Sequence, residues 1–295
     1  MIRNPVPWPN GAKCAVCFTL DMDAESILHL DHPNRAHSMV SAASMLRYGP
    51  DVAVPRILES YRQYGIRQTF FVPAWCAERY PYAVEAMIRD GHEVSAHGYM
   101  HENPNQLSDE QEAYWVHRSI TALQEVSGEK PAGWRSPLYN FSHRTAELLL
   151  KDGIGYDASL MGDDVPYLLE TSRGQQLLEL PAHWGMDDWP AFMHSLEFNF
   201  QMPIQAPSHA WENWWDEFEA MWEYGGLWVA VWHPFLSGRL ARWRITHQMI
   251  GRMLERGKVW FAPMRDIAAH VRKCSAEGSW KPQVVRPGAA VIGPG

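Results

Sequence analysis

Long apolar segments are missing from this 295-residue sequence, so no membrane-spanning helix is expected. The longest clean apolar run is Leu227–Trp232, whereas a helix needs roughly 18–20 apolar residues to cross a bilayer. Residues 1–10 also lack the continuous apolar core that is typical of a signal peptide. We therefore expect a cytoplasmic protein without a membrane partner.

Basic residues are fewer than acidic ones: the sequence has 26 lysines and arginines and 34 aspartates and glutamates, which gives a net charge of -8. Nucleic-acid binding needs a basic surface stripe, so this balance argues against a nucleic-acid partner. The hydrophobic fraction of 46% is ordinary for a globular protein that buries a core. A small-molecule substrate is the partner that we expect.

Cysteine is scarce, with four in the chain, as expected for a reducing compartment. Cys14 and Cys17 have the spacing of a redox or zinc pair, but they lie in an apolar run. Residues three apart on a strand face opposite sides, and no second cysteine pair follows. We therefore expect buried thiols here.

Strand-like and helix-like segments alternate along the chain. The strand-like runs are Lys13–Leu20, Gln68–Val72, His92–Ala96, Gly133–Arg135, Leu177–Leu180, Leu227–Trp232 and Val259–Ala262. The helical patterns between them include one with a capping box at Ser108 and Gln111. Alternation of this kind predicts an α/β fold with a parallel sheet, closed or nearly closed into a barrel. A doubly wound open sheet is the alternative, although Asp21 to Glu25 stand where a Gly-rich dinucleotide fingerprint would lie.

Two segments fall outside the alternation. Residues 29–51 form a long insertion after the first strand, and ordered loops at that place often act as lids. Residues 275–295 are rich in glycine, proline and alanine and are expected to form an arm or tail. The predicted organisation is a single catalytic domain over residues 1–274 followed by that arm.

Polar residues follow several predicted strands, at the end where a parallel barrel carries its chemistry. The histidines of His97-Gly-Tyr-Met-His101 have a spacing that places both imidazoles on one face of a helical turn. Asp21 and Asp23 would point the same way from a strand end, which is unfavourable unless a cation neutralises them. A metal bound by Asp23, His97 and His101 would have the three protein ligands of a catalytic zinc site, leaving Asp21 as a base. Satisfied histidines and turn-forming aspartates are the alternatives.

Two more strand-end residues are candidates. His233 follows the apolar strand Leu227–Trp232 and could protonate a leaving nitrogen, or it is a buried structural histidine. Arg135 would be costly to bury unpaired and could hold Asp21 ionised, unless it lies on the surface. Trp184 is a candidate for substrate contact, and Asp187-Asp188 beside it could line the pocket or form a plain acidic loop.

These motifs, in this order, resemble the polysaccharide deacetylase family with NodB homology. The resemblance spans roughly residues 10–270 and rests on Asp21-Met-Asp23, on His97 and His101, on Arg135-Ser-Pro137-Leu-Tyr139, and on Val231-Trp-His233. It implies a single-domain distorted (β/α)7 barrel. Met22 between the aspartates and Gly98 after the first histidine are more typical of an intracellular branch with cyclic imide hydrolases, metal-independent allantoinases and peptidoglycan deacetylase-like proteins. A metal-free, allantoinase-like enzyme is therefore a further alternative.

The resemblance also implies roles for individual residues. Asp23, His97 and His101 would bind a divalent metal, which we expect to be zinc. Asp21 would be the general base, oriented by Arg135, and His233 the general acid. The backbone near Tyr139 would help to stabilise the oxyanion, with Pro137 and Trp184 as neighbouring substrate contacts. A homo-oligomer, dimer or tetramer, is expected by analogy.

The motifs and the resemblance leave three candidate functions. The first is a metal-dependent hydrolase that opens a small cyclic imide to a half-amide acid by attack of a metal-activated water. The second is an N-deacetylase of peptidoglycan or another aminosugar polymer, with tryptophans stacking on sugar rings. The third is a non-catalytic binding module, which the complete set of motifs argues against.

Overall fold

Strands and helices alternate along residues 1–286, the part of the chain that the computed structural model describes. The strands are β1 Cys14–Asp21, β2 Thr69–Val72, β3 Glu93–Ala96, β4 Gly133–Trp134, β5 Tyr156–Asp157, β6 Tyr167–Glu170, β7 Gln176–Glu179, β8 Leu227–Trp232, β9 Val259–Phe261 and β10 Val284–Val285. The helices up to the middle of the chain are α1 Ser26–Asp31, α2 Val40–Tyr48, α3 Val54–Tyr64, α4 Ala74–Arg79, α5 Pro81–Arg89 and α6 Asp109–Ser127. Those that follow are α7 Thr145–Lys151, α8 Trp189–Phe192, α9 Pro207–Tyr224, α10 Pro234–Ser237, α11 Leu240–Arg256 and α12 Met264–Ala276.

The described strands form one sheet in the order β10-β6-β7-β5-β4-β3-β2-β1-β8, and β9 also pairs with β1. All pairs are parallel except the antiparallel pair of β6 and β7. The full ladder does not close between β7 and β8, where a single bridge joins Asp187 to Val231. The architecture is the predicted single-domain α/β fold, a distorted barrel.

The barrel strands alternate between an inner and an outer core. In β1, Phe18 and Leu20 pack among the surrounding helices, whereas Ala15 and Cys17 belong to a second cluster inside the barrel. This period of two directs Asp21, at the end of β1, to the inner side. The apolar sequence of the strand therefore determines where its terminal carboxylate points.

Aromatic side chains fill the outer core beside β1 and β8. The Phe18 ring meets the edges of Trp228 and Trp232 at centroid distances of 4.9 Å and 5.3 Å. Burying an aromatic side chain of this kind stabilises a fold by about 1.5–3 kcal/mol. The two strands that carry Asp21 and His233 are thereby held side by side.

The predicted strand-like runs all contain strands, with ends that differ by at most one residue. The capping box at the start of α6 is confirmed, since Ser108 and Gln111 each accept from the other's backbone N–H. Three short strands, β5, β6 and β10, were not predicted. Cys14 and Cys17 are buried and free, as expected, and burial raises the pKa of both thiols to about 12.

The two segments outside the alternation contain ordered structure. The insertion of residues 29–51 carries α2 and part of α1, and a π-helical turn over Gly49–Ala53 leads from it into α3. In the arm, Trp280 is buried and β10 pairs with β6. The rest of the arm, residues 287–295, lies outside the described residues. Within residues 1–286, no helix combines the length and the apolar character needed to cross a bilayer.

Candidate metal centre and active site

Four strands deliver polar side chains to one rim of the barrel. Asp21 ends β1, His97 follows β3, Arg135 follows β4, and His233 follows β8. The carboxyl ends of parallel strands lie at the same rim, so residues far apart in sequence meet there. All four side chains are buried, which means that their charges must be compensated locally.

Asp23, His97 and His101 form a compact group, with ligand atoms that all lie within 4.8 Å of one another. His97 Nε2 is 3.4 Å from Asp23 Oδ1, and His101 Nε2 is 3.8 Å from Asp23 Oδ2. Both Asp23 carboxylate oxygens are buried and have no hydrogen-bond partner among residues 1–286. Buried carboxylate oxygens normally have hydrogen-bond partners, so the two unpartnered oxygens of Asp23 are expected if this carboxylate binds a cation. The residues therefore fit a divalent metal.

The orientation of His97 supports that fit. Its Nδ1 is 2.8 Å from the backbone carbonyl oxygen of Arg135, which leaves Nε2 facing Asp23. Metal-binding histidines commonly use their second nitrogen in this way, because the contact fixes the tautomer and the direction of the ring.

Electrostatics within the group favour an ionised Asp23 carboxylate beside a neutral His101 imidazole. Burial alone would raise the pKa of Asp23, but His101, His233 and His97 outweigh it and hold that pKa well below its usual range. Burial lowers the pKa of His101 to about 4, despite the opposing effect of Asp23. A carboxylate and neutral imidazole are the protonation states in which these groups bind metals.

The loop between the two histidines requires a glycine. Gly98 has φ of +71°, and a Cβ there would lie 3.1 Å from Pro137 Cγ and 3.2 Å from Glu102 Oε2. Glu102 closes the loop by accepting the N–H groups of Tyr99 at 3.0 Å and Met100 at 2.9 Å. His101 itself has φ of 79°, so the loop is bent sharply to bring its imidazole back to the cluster.

Arg135 holds Asp21 in place. Its Nη1 donates to Asp21 Oδ1 at 2.8 Å and to Thr19 Oγ1 at 2.6 Å, while its Nε donates to the Ala158 carbonyl at 2.9 Å. The other carboxylate oxygen, Asp21 Oδ2, remains 3.7 Å from His97 Nε2. The guanidinium therefore orients one oxygen of Asp21 and leaves the second directed towards the cluster.

His233 is held by Asp188, a residue that the sequence suggested only as a pocket-lining or loop aspartate. His233 Nδ1 is 2.7 Å from Asp188 Oδ1. Asp188 Oδ2 accepts the backbone N–H groups of His233 at 3.0 Å and Ser237 at 3.1 Å. Burial would lower the pKa of His233, but Asp188 outweighs it and raises that pKa well above the usual value. The free Nε2 lies 3.4 Å from Asp23 Oδ2, at the metal cluster.

Tyr139 lies in a strained turn at the mouth of the site. Leu138 and Tyr139 have φ of 58° and 57°, and the Tyr139 hydroxyl donates to Asp187. Burial raises the pKa of Asp187 to about 7, although His233 opposes this effect. The Tyr139 N–H donates to the Ser136 carbonyl at 3.0 Å, so the predicted oxyanion contact needs this turn to rearrange or another N–H nearby. That role stays a prediction.

These residues enclose a cavity of about 80 Å³. Of the predicted site residues, Pro137 alone is not part of its lining and lies buried behind it against Gly98. Trp184 lies at the mouth, 48% exposed, with its ring edge-on to Tyr139. The cavity is lined by Asp21, Asp23, His97, His101, Arg135, Ser136, Leu138, Tyr139, Trp184, Asp187, Trp189 and His233.

A larger groove of about 770 Å³ adjoins this cavity, and His101, Leu138 and Trp189 line both. Aromatic and amide side chains share the groove wall. They are Trp115, Phe198, Phe200, Asn103 and Gln106. The insertion helix α1 also contributes to the wall, although whether the insertion moves as a lid stays a prediction.

Comparisons with known proteins agree with this geometry. The family model described as "Polysaccharide deacetylase" matches residues 41–156. A peptidoglycan deacetylase of Helicobacter pylori is 32% identical over 65% of this chain and 74% of that protein. A crystal structure of a putative polysaccharide deacetylase from Mycobacterium smegmatis has a TM-score of 0.89 and 38% identity, covering 97% of this chain and 98% of that one. A Puue allantoinase structure has a TM-score of 0.80 and 26% identity, covering 95% of this chain and 96% of that one.

Proposed function

Because this chain belongs to the polysaccharide deacetylase family, we propose that it is a metal-dependent hydrolase that removes an acetyl group from the nitrogen of an aminosugar. The observation that carries the proposal is the small buried cavity that opens into a larger groove. An acetamido group has few heavy atoms and suits the cavity, while a sugar ring suits a groove with aromatic and amide walls. The similarity to a peptidoglycan deacetylase supports the same substrate class.

Asp23, His97 and His101 are the residues that would hold the metal. Two imidazoles and one carboxylate suit zinc, and three protein ligands would leave a position open for chemistry. When bound, such a cation acts as a Lewis acid on the acyl oxygen and makes water more acidic.

The reaction adds water to the amide and yields acetate and an amine. A bond forms between the water oxygen and the acyl carbon, and the bond from that carbon to nitrogen breaks. Asp21 accepts the proton of the attacking water, since Arg135 holds one of its oxygens and leaves the other free. His233 donates a proton to the departing nitrogen from Nε2, because Asp188 occupies Nδ1.

A cyclic imide or ureide is the second candidate substrate. The specific observation in its favour is the allantoinase similarity, which extends over 95% of this chain with a TM-score of 0.80. The residues proposed for catalysis would act in the same way, but ring opening would leave both products joined in one molecule. A small ring would occupy the cavity and leave most of the adjoining groove empty.

Product analysis separates the two candidates. Zinc-loaded protein is incubated with N-acetylglucosamine oligomers, with peptidoglycan fragments, and with succinimide and maleimide. Mass spectrometry distinguishes loss of an acetyl group from addition of water to a ring. Deacetylation that disappears in the His233→Ala variant supports the proposal, whereas ring opening without deacetylation overturns it in favour of the second candidate. No hydrolysis of any of these substrates would also overturn it.

A further inference from the structure

Two acidic side chains that the proposed reaction does not use lie together on the outer side of the barrel strands, where their neighbours Trp134 and Leu177 belong to the outer core. Asp157 is on β5 and Glu179 is on β7, and the two residues are paired in register across these neighbouring strands. Both are completely buried, and an oxygen of each carboxyl group lies 3.0 Å from the same backbone nitrogen, that of Ser159. Glu179 Oε2 receives no hydrogen bond from any donor in residues 1–286.

The two carboxyl groups hold the turn that follows β5. The Ser159 N–H lies 3.0 Å from both Asp157 Oδ2 and Glu179 Oε1, and the Leu160 N–H donates to Glu179 Oε1 at 2.9 Å. The Ser159 hydroxyl donates to Asp157 Oδ1 at 2.8 Å. The acids therefore determine the position of the turn on both its backbone and its side-chain side.

The turn after β5 also contacts residues of the active site. The Ala158 carbonyl, inside the turn, accepts from Arg135 Nε at 2.9 Å. The Ser159 hydroxyl oxygen also accepts the Ser136 N–H at 2.8 Å. Arg135 orients Asp21, so hydrogen bonds and the backbone of the turn together link the acid pair to the proposed base.

Charge decides the protonation of the pair. Two ionised carboxylates in contact repel each other, and both would also have to give up hydration. The other charged or titratable groups facing them are Arg135, which follows β4, and Tyr167 on β6, and Asp21 already neutralises Arg135. Burial raises the pKa of both acids, most strongly that of Glu179. A hydrogen bond between two carboxyl groups also requires that one of them carries a proton.

We propose that Asp157 and Glu179 share one proton, with Glu179 as the protonated partner, and that they form a positioning pair for Arg135. The orphaned Glu179 Oε2 carries the proton and donates it to Asp157. The pair then bears a single negative charge, and its remaining oxygens are free to hold the turn. The consequence for turnover rests on the proposed function, whereas the shared proton does not.

The first test compares the wild type with Glu179→Gln, which keeps a donor at the same place but cannot titrate. Folding of the wild type retains a proton that the unfolded chain releases above about pH 4.3, so its stability falls as pH rises towards the folded-state pKa. Melting temperatures of the metal-loaded proteins are measured from about pH 5 to about pH 8. The variant should gain relative to the wild type as pH rises, and a constant difference would overturn the shared proton.

Infrared difference spectra give a second, independent readout. At neutral pH, the wild type minus Glu179→Gln should contain the carbonyl band of a protonated carboxylic acid. A carboxylate band in its place would show that Glu179 is ionised and would overturn the proposal. Neither measurement needs a substrate, so both remain decisive if deacetylation is not the reaction.

Turnover tests the positioning role. Glu179→Gln should change the rate by less than about threefold, because the donor to Asp157 is kept, whereas Glu179→Ala should lower it at least about fivefold. Ser159→Ala, which removes the hydroxyl link to Ser136 without opening the acid pair, replaces Glu179→Ala if that variant does not fold. Equal rates in the wild type and in a folded Ala variant would overturn the positioning role, as would equal losses in the Gln and Ala variants.

Discussion

Replacing Asp188 with asparagine tests how the proposed general acid is held. Asp188 is completely buried, and its carboxylate accepts three hydrogen bonds, from His233 Nδ1, the His233 N–H and the Ser237 N–H. Asparagine has nearly the same shape but only one accepting oxygen and no charge. At least one of the three donors must then face an NH₂ group.

The size of the effect follows from the lost contact. A hydrogen bond to a charged partner contributes about 1.5–3 kcal/mol, and each 1.4 kcal/mol corresponds to about a tenfold change in rate. If the bond at 2.7 Å between His233 and Asp188 is lost in the transition state, turnover should fall about 10-fold to 150-fold. Metal content should not change, because Asp188 is outside the Asp23 cluster.

The pH profile supplies a second readout with a definite sign. Burial lowers the pKa of His233 and Asp188 raises it, so the variant should have a lower pKa than the wild type. An acid works while it is protonated, and its activity is lost as pH rises through its pKa. The alkaline limb of kcat should therefore move to lower pH in Asp188→Asn.

Steady-state deacetylation across pH, with elemental analysis of each protein, makes the measurement. Asp187→Asn is the matched control, since it also removes one buried carboxylate from the same loop but contacts Tyr139 and Trp189 instead. It should reduce turnover less and move the alkaline limb less than Asp188→Asn does, because Asp187 makes no hydrogen bond to His233. An Asp188→Asn enzyme with wild-type turnover and an unshifted limb would refute the role of Asp188.

Three further outcomes are expected. Asp23→Asn should lose most of the bound metal in elemental analysis, and a wild-type ratio of metal to protein would contradict its role as a ligand. Gly98→Ala should lower the free energy of unfolding by about 2–4 kcal/mol, because Gly98 has a positive φ and a Cβ there would lie close to Pro137. The control Gly128→Ala should lower it by about 1 kcal/mol, because Gly128 also has a positive φ but a Cβ there meets no atom. Equal losses in thermal denaturation of these two variants would show that crowding at Gly98 is harmless. Trp184→Ala should raise KM about tenfold with a smaller effect on kcat, and an unchanged KM in steady-state kinetics would place the substrate elsewhere.

The candidate site was predictable because several of its residues follow strands that can be recognised in the sequence by their apolar runs. β1 and β8 are entirely buried, and their apolar runs are visible without a structure. A parallel barrel collects the residues after such strands at one rim, so proximity of Asp21 and His233 followed from topology alone. The capping box of α6 was predictable for a different reason, since it depends only on residues three apart.

The strands β5 and β6, between α7 and β7, were not predicted. β5 has only two residues, and a segment of that length is too short to show the alternation of apolar and polar residues that marks a strand. β6 did leave a signal, because Leu168 and Leu169 are separated from Leu177 and Leu178 by a turn that contains Gly174 with φ of 74°. That spacing indicates a hairpin, which is the one antiparallel pair in the described sheet.

Asp188 was not assigned to His233 because their contact depends on a junction that no sequence period encodes. The segment after β7 meets β8 through one bridge between Asp187 and Val231, and the Asp188 N–H donates to the Val231 carbonyl at 3.1 Å. A physical requirement nevertheless narrows the search. A buried imidazole that is to remain protonated needs a carboxylate, and that carboxylate must also be buried next to apolar chain. The Asp-Asp-Trp sequence ending at Trp189 meets this condition, because its carboxylates stand beside an apolar residue. It is therefore a better candidate for the partner of His233 than the exposed acidic residues are.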